Sequence, residues 1–354
     1  MSFTKSDLVL ITGANGHVGS HLVDYLLKDP NGPQVRAAVR TEKSAAPLQA
    51  TFKQFVDSGR LKFSYVADMT APGAYDSAVK GATHIAHVAS PLILDPPDLE
   101  KDLLRPAIQG TVGLLESANK SNDAKSVVVT SSFAAAFDPF KGWSSDYTYS
   151  SQDWNPITYE QGAGREATKG LDERYQGFMA YLSSKKLAEE AAWNYYHKHV
   201  EGGKGKGWKF STILPTYIGG PCVLPLKGEV GLDGYSFSQA KITDIAQRGT
   251  NKGLVDDFPF WVDVRDVAKA HAQALLRQEA HGKRWILACQ KARMWQIAKS
   301  IQVQSPWREV EVFEENDRSF DIACDESLQG LGLGEWIGLD EMVRDTVGPV
   351  VGNL

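Results

Sequence analysis

The chain has 354 residues, 42% hydrophobic and 23% charged, with 43 acidic against 38 basic side chains and a net charge of -5. That length can bury a sizeable core in one large domain or two. The acidic balance argues against nucleic acid or an anionic membrane as the main partner. Three distant cysteines, Cys222, Cys289 and Cys324, have neither metal-ligand spacing nor a disulfide pattern and fit a reducing compartment. Met1 to Asp7 lacks a basic region followed by an apolar core, and Leu8 to Ile11 is too short for a signal or a span. The expectation is a soluble cytoplasmic protein, monomer or homodimer, with a small-molecule substrate.

Leu8 to Thr12 reads as a buried parallel strand. Gly13-Ala14-Asn15-Gly16-His17-Val18-Gly19 follows, then a helical pattern with Val18, Leu22, Tyr25 and Leu26. The first glycine permits a tight turn, the second lets the backbone approach a diphosphate, and the third lets helix pack on strand. The helix start offers free N–H groups to phosphates. Gly13, Asn15, Gly16, His17, Val18 and Gly19 are therefore candidate cofactor contacts. The spacing is Gly-x-x-Gly-x-x-Gly, not the Gly-x-Gly-x-x-Gly of the commonest dehydrogenases.

The next strand, Gln34 to Val39, ends on Arg40. An NAD-binding fold places an acid there for the ribose 2′-hydroxyl. Arg40, with Lys43 close behind, suits a 2′-phosphate, so the cofactor expected is NADPH/NADP; Glu42 is the only nearby acid. Leu61 to Val66 forms a strand ending at Asp68-Met69. Thr83 to Val88 forms another, followed by Ala89-Ser90-Pro91. A helix runs from about Asp98 to Ala118, with Pro106 kinking it or marking its first turn. Ser126 to Thr130 is a fifth strand. Strands alternating with helices predict an α/β fold, a Rossmann-type doubly wound parallel sheet, whose ligand lies beyond the carboxyl ends of the strands. Asp68 then faces the adenine edge, and small Ala89 and Ser90 let the dinucleotide lie close. His84 and His87 point to opposite faces of their strand, so they cannot share a metal and read as structural.

Trp208 to Leu214 is a sixth strand, closed by Pro215-Thr216-Tyr217-Ile218-Gly219-Gly220-Pro221. From there to about Pro259 the composition suggests a smaller lobe. Asp263 reads as the N-cap of a helix that returns to the sheet, and Trp285 to Leu287 as a last strand. Residues 1–215, rejoined by about 262–287, form the expected NADP-binding domain; 216–261 and 288–354 form a smaller C-terminal substrate lobe. Trp295, Trp307 and Trp336 read as packing. The cleft between the lobes is the expected substrate site, lined by Leu92, Phe133, Phe137 and Tyr217.

The chemistry rests on two further stretches. Ser131-Ser132 follows the fifth strand directly, and Tyr181 and Lys185 lie four apart in a helical run, on one face. Tyr-x-x-x-Lys alone occurs by chance in many chains. Beside a dinucleotide turn it supplies the parts for carbonyl reduction. Reduction leaves charge and then a proton on the oxygen. Tyr181 would deliver the proton, and Lys185 would favour its phenolate and reach the ribose. Ser132 would hold the oxygen by a bond that strengthens as charge develops.

Thr12 to Gly19, Thr130-Ser131-Ser132 and Tyr181 to Lys185 resemble the extended short-chain dehydrogenase/reductases. His87 to Pro91, Phe133 to Phe137, Trp154-Asn155-Pro156, Lys185 to Glu189 and Asp263 to His271 are similar to fungal NADPH-dependent aldehyde and ketone reductases of the yeast methylglyoxal/isovaleraldehyde reductase type. Plant dihydroflavonol reductases are more distant. The resemblance runs from about Leu8 to Leu287. It implies Ser132, Tyr181 and Lys185 as catalytic, Arg40 as the 2′-phosphate arginine, and Met69, Ala89, Ser90, Pro91, Pro215, Tyr217 and Ile218 against the cofactor. Extra residues from about Gly164 to Glu173 form either a flap over the substrate mouth or a solvated bulge. Two alternatives stand beside the reductase. A nucleotide-sugar epimerase or dehydratase of the same fold would want an acid at Arg40 or an acid pair after Ser132. A non-catalytic NADP sensor would usually lack the Tyr or the Lys.

Overall fold

The computed structural model describes residues 2–90, 96–141, 146–164, 173–203, 205–225, 235–254, 258–305, 309–314 and 319–351. Seven parallel strands form its main sheet: β1 (Leu8–Thr12), β2 (Gln34–Val39), β3 (Leu61–Tyr65), β4 (His84–His87), β5 (Ser126–Thr130), β6 (Lys209–Pro215) and β7 (Lys283–Leu287). Their order is β7-β6-β5-β4-β1-β2-β3. Val9 pairs with Val35 on one side and His84 on the other, so the order reverses at β1 and opens a crevice between β1 and β4. The Rossmann-type reading is borne out.

Strand alternation decides the two faces. Val9, Ile11, Val35, Ala37 and Val39 share a core with Leu22 and Leu26 of α1 (His17–Lys28). Leu10, Ala38, Ile85, Val127 and Val129 pack on the opposite face. There they meet Leu114 and Leu115 of α3 (Arg105–Lys120) and Ala192 and Trp193 of α4 (Glu173–His199), whereas Ala45 and Leu48 of α2 (Glu42–Thr51) belong to the first core. Each such aliphatic contributes about 1.5–3 kcal/mol on burial. Tyr25 stays 37% exposed and leaves that core stripe. Pro106 sits in the first turn of α3, after a π-helical turn at Glu100–Leu104; its missing N–H costs nothing there.

A second core contains Tyr149, Phe258, Phe260, Trp261 and Phe320. Helices α5 (Phe237–Arg248), α7 (Met294–Gln304) and α8 (Leu339–Val351) surround it, while α6 (Val264–Leu276) returns to the main sheet against α1. Asp263 caps α6, accepting from the Arg265 amide at 2.8 Å. Strand formation does not end at Leu287. Gln290–Lys291 pairs antiparallel with Phe260–Asp263, which pairs in parallel with Tyr217–Gly219. Asp321–Ile322 pairs with Thr148–Tyr149. Such two-residue strands carry too little alternation to be read from sequence. Trp295 and Trp336 are half-buried. Pro91, Leu92, Trp307 and 165–172 of the extra segment lie outside the described residues. Among the described residues, no helix is long and apolar enough to cross a membrane, and no group of three or more His, Cys, Asp or Glu could hold a metal ion.

Candidate active site

The carboxyl ends of the strands open into a cleft of about 880 Å³. Its floor is the turn from β1 to α1. Gly13 has φ +63, and a Cβ there would stand 2.9 Å from the backbone of Ala89. Gly16 donates to the Gly13 carbonyl at 3.0 Å. No side chain caps the first turn of α1, leaving its amides for an anion. Thr12 locks this turn to β4: its hydroxyl accepts from the amides of Val88 and Ala89, both at 3.1 Å, and meets His87 Nδ1 at 2.8 Å. A backbone cradle without side chains, at a helix start, fits the diphosphate of a dinucleotide. Gly13, Asn15, Gly16, His17, Val18 and Gly19 all line it.

Along the cleft, Val39 and Arg40 lie at the end of β2, and Asp68 and Met69 after β3. The Asp68 carboxylate accepts from the Thr70 hydroxyl at 2.7 Å and its amide at 2.8 Å, which hold it below the usual carboxylate range. An ionised acceptor there suits an adenine amine. Lys43 is the exception among the expected contacts. It is exposed on the first turn of α2 and does not line the cleft. The helical turn points Ser44 inward in its place, with the Ser44 amide donating to the Thr41 cap at 3.2 Å.

At the other end, Ser132, Tyr181, Lys185, Ala89, Ser90, Pro215, Tyr217 and Ile218 converge. The Tyr181 hydroxyl donates to Ser132 Oγ at 3.3 Å. Ser131 faces away: its hydroxyl donates to Glu189 at 2.8 Å. Two adjacent serines at a strand end thus have opposite destinations, and the one beside Tyr181 is Ser132. Burial pushes the Tyr181 phenol above its ordinary value, partly opposed by the Ser132 hydrogen bond. The Lys185 ammonium reaches across to β4, donates to Ser90 Oγ at 3.0 Å, and sits 5.8 Å from the Tyr181 ring centre. Burial draws it from 10.5 down to about 8. The expected lowering of the phenol therefore needs positive charge brought close by a bound ligand; the lysine's present position does not supply it.

A Lys pKa depressed on folding means that its charge destabilises the fold fully below about 8, and the penalty fades as pH rises from about 8 to 10.5. We expect Lys185→Met to be more stable than wild type at pH 7 by about 2 kcal/mol, after discounting for a half-buried ammonium. That advantage should shrink toward pH 10, as read by denaturant melts across pH.

Phe133 and Phe137 are a correction. Both are 0% exposed and do not line the cleft. The short 3-10 turn Phe133–Ala135 carries them into the second core, where Phe133 stacks on Phe320 at 5.6 Å and Phe137 meets Phe258 at 4.9 Å. Tyr217 lines the cleft as expected. Phe178, Phe237 and Phe258 line it beside Tyr181. Of these, Phe178 had a sequence signal, one turn ahead of Tyr181 on the same helix; Phe237 and Phe258 had none.

The chain and its fold are similar to known proteins. The model of the NAD dependent epimerase/dehydratase family matches residues 9–199. An uncharacterised oxidoreductase of Schizosaccharomyces pombe is 33% identical over 304 residues, covering 84% of this chain and 82% of its own. The NADPH-dependent methylglyoxal reductase of Saccharomyces cerevisiae is 29% identical with the same coverage. The crystal structure of Gre2 from Candida albicans in complex with NADPH superposes with a TM-score of 0.83 at 27% identity, over 98% of both chains. The match over more than half the chain, from β1 through the helix bearing Tyr181 and Lys185, shows that the chain belongs to the NAD dependent epimerase/dehydratase family.

Proposed function

We propose that the protein is an NADPH-dependent carbonyl reductase, turning aldehydes or ketones into alcohols. The observation that carries this is the Tyr181 hydroxyl 3.3 Å from Ser132 Oγ, in one cleft with Lys185 and the glycine cradle. When bound, NADPH supplies the hydride. Ser132 and Tyr181 would hydrogen-bond the carbonyl oxygen, so that negative charge grows beside two hydroxyl donors. Tyr181 then passes its proton to that oxygen, and Lys185 would steady the phenolate left behind only by moving from Ser90 toward it. Fold alone does not choose among the family's reactions. Support for reduction comes from the residues after Ser132, Phe133 and Ala134, where a dehydratase wants an acid pair, and from the NADPH-dependent relatives. NADPH consumption with a panel of aldehydes, ketones and sugar nucleotides tests the reading; turnover of a sugar nucleotide without NADPH consumption would replace it with the epimerase reading.

Arg40 would hold the 2′-phosphate. A charge-assisted hydrogen bond contributes about 1.5–3 kcal/mol. Arg40→Ala should therefore weaken NADPH binding by about 10- to 100-fold and leave NADH binding within about twofold, measured by fluorescence titration. Equal losses for both cofactors would remove Arg40 from this role.

A further inference from the structure

We propose, resting on the reductase reading above, that Glu189 and Arg284 are positioning residues whose buried ion pair clamps the helix carrying Tyr181 to the strand end carrying Ser132. Glu189 lies on α4 four residues after Lys185, one turn along the same face. Its side chain is 0% exposed and that of Arg284, on β7, is 7% exposed. Glu189 Oε1 accepts from Arg284 Nε at 2.8 Å and from the Thr212 hydroxyl of β6 at 2.6 Å. Its Oε2 accepts from the Ser131 hydroxyl at 2.8 Å and from Arg284 Nη2 at 3.2 Å. One carboxylate thus ties the carboxyl end of β5, the middle of β6 and the start of β7 to α4.

The remaining guanidinium nitrogen, Nη1, donates to the carbonyls of Ser151, at 2.9 Å, and Asp153. The guanidinium lies 3.7 Å over the Trp154 ring. Next in the chain, Asn155 donates its amide to Ala135 O at 2.9 Å and its side-chain Nδ2 to Ala134 O at 3.1 Å. The turn following Ser132 is therefore held from the same source. A buried ion pair is a weak route to stability, since apolar side chains of equal volume often serve as well. Its directional bonds do what apolar packing cannot. They commit the Ser131 hydroxyl and so fix the rotation of the strand end that aims Ser132 at Tyr181. The Ser132–Tyr181 contact, at 3.3 Å, is near the limit of a useful hydrogen bond, so a small displacement would break it.

The test uses Ser131→Ala, Glu189→Gln, Arg284→Met and the double variant of the last two. Each is assayed for NADPH-linked reduction of isovaleraldehyde across pH, for NADPH affinity and for melting temperature. Ser131→Ala, the mildest change, should lower kcat by about 10-fold or more with KM and NADPH affinity within about twofold. The alkaline fall of its kcat should also move to higher pH, because the phenolate of Tyr181 loses the Ser132 hydrogen bond. The double variant, with no unpaired buried charge, should melt above both singles yet stay as slow. Unchanged kcat and an unmoved alkaline limb in Ser131→Ala and Glu189→Gln, with only melting temperature lowered, would overturn the proposal and leave a structural ion pair. If wild type reduces no carbonyl, the reductase reading fails separately. Tyrosinate absorbance of the NADP+ complex, taken as the difference from Tyr181→Phe, then decides the positioning role without turnover: an upward shift in Ser131→Ala supports it, and no shift overturns it.

Discussion

Tyr181→Phe should lower kcat for aldehyde reduction by roughly 10³-fold, with NADPH affinity and melting temperature close to wild type. The ring fills the same space, and what is lost is the hydroxyl that donates to Ser132 Oγ at 3.3 Å. The neighbouring Ser132 can hydrogen-bond the substrate oxygen, but an aliphatic hydroxyl is a far weaker acid than a phenol, so little transfer should persist. Stability should not fall: a buried phenol whose pKa burial raises contributes only one long hydrogen bond to the fold. Stopped-flow measurement of NADPH consumption and a thermal melt check both halves. Activity within a few-fold of wild type would move proton delivery to another group.

The second large effect is expected at Gly19, on the first turn of α1. A Cβ there would stand 2.8 Å from Ala14 Cα and closer still to the Gly13 carbonyl oxygen, both backbone atoms that cannot rotate away. The Gly13 carbonyl is also the acceptor for the Gly16 amide at 3.0 Å. To admit a methyl group, the helix must lift from the turn and the cradle of amides must open. Overpacking of this kind costs about 1–3 kcal/mol of stability. Gly19→Ala should therefore melt several degrees lower and lose NADPH binding by about 100-fold or more, because every amide pointed at the diphosphate moves together. Calorimetric titration with NADPH measures it; unaltered affinity would mean that the diphosphate does not rest on this turn.

What was legible in the sequence was local. The β1–turn–α1 unit, the alternating strands and the Tyr181/Lys185 spacing each lie within a short window whose period or glycine placement has a direct geometric meaning. The doubly wound class followed from that alternation; the order of the strands comes from the structure. Contacts between distant residues were not legible. That Ser131 turns away from the cleft depends on Glu189, 58 residues on, and Glu189 depends on Arg284, 95 residues further. Phe133 and Phe137 follow the strand end that carries Ser132, which suggests a cleft wall. Their direction is decided by a three-residue 3-10 turn and by the aromatic cluster around Phe258 and Phe320 that receives them. Lys43 was one position out of register, since a helix starting at Glu42 sends Ser44 toward the cleft instead. The position of Lys185 against Ser90 was likewise beyond the i, i+4 rule, which brings two side chains to one face without saying where a four-carbon stem ends.

The central claim is direct reduction of a carbonyl carbon at the Ser132–Tyr181 pair. It is tested most directly by incubating the protein with isovaleraldehyde and NADPH deuterated at the transferring carbon of its nicotinamide, then reading the alcohol by mass spectrometry. One deuterium on the carbinol carbon for each NADPH consumed, lost in Tyr181→Phe, is the predicted result. Alcohol without deuterium, or NADPH consumed with no alcohol formed, would contradict it.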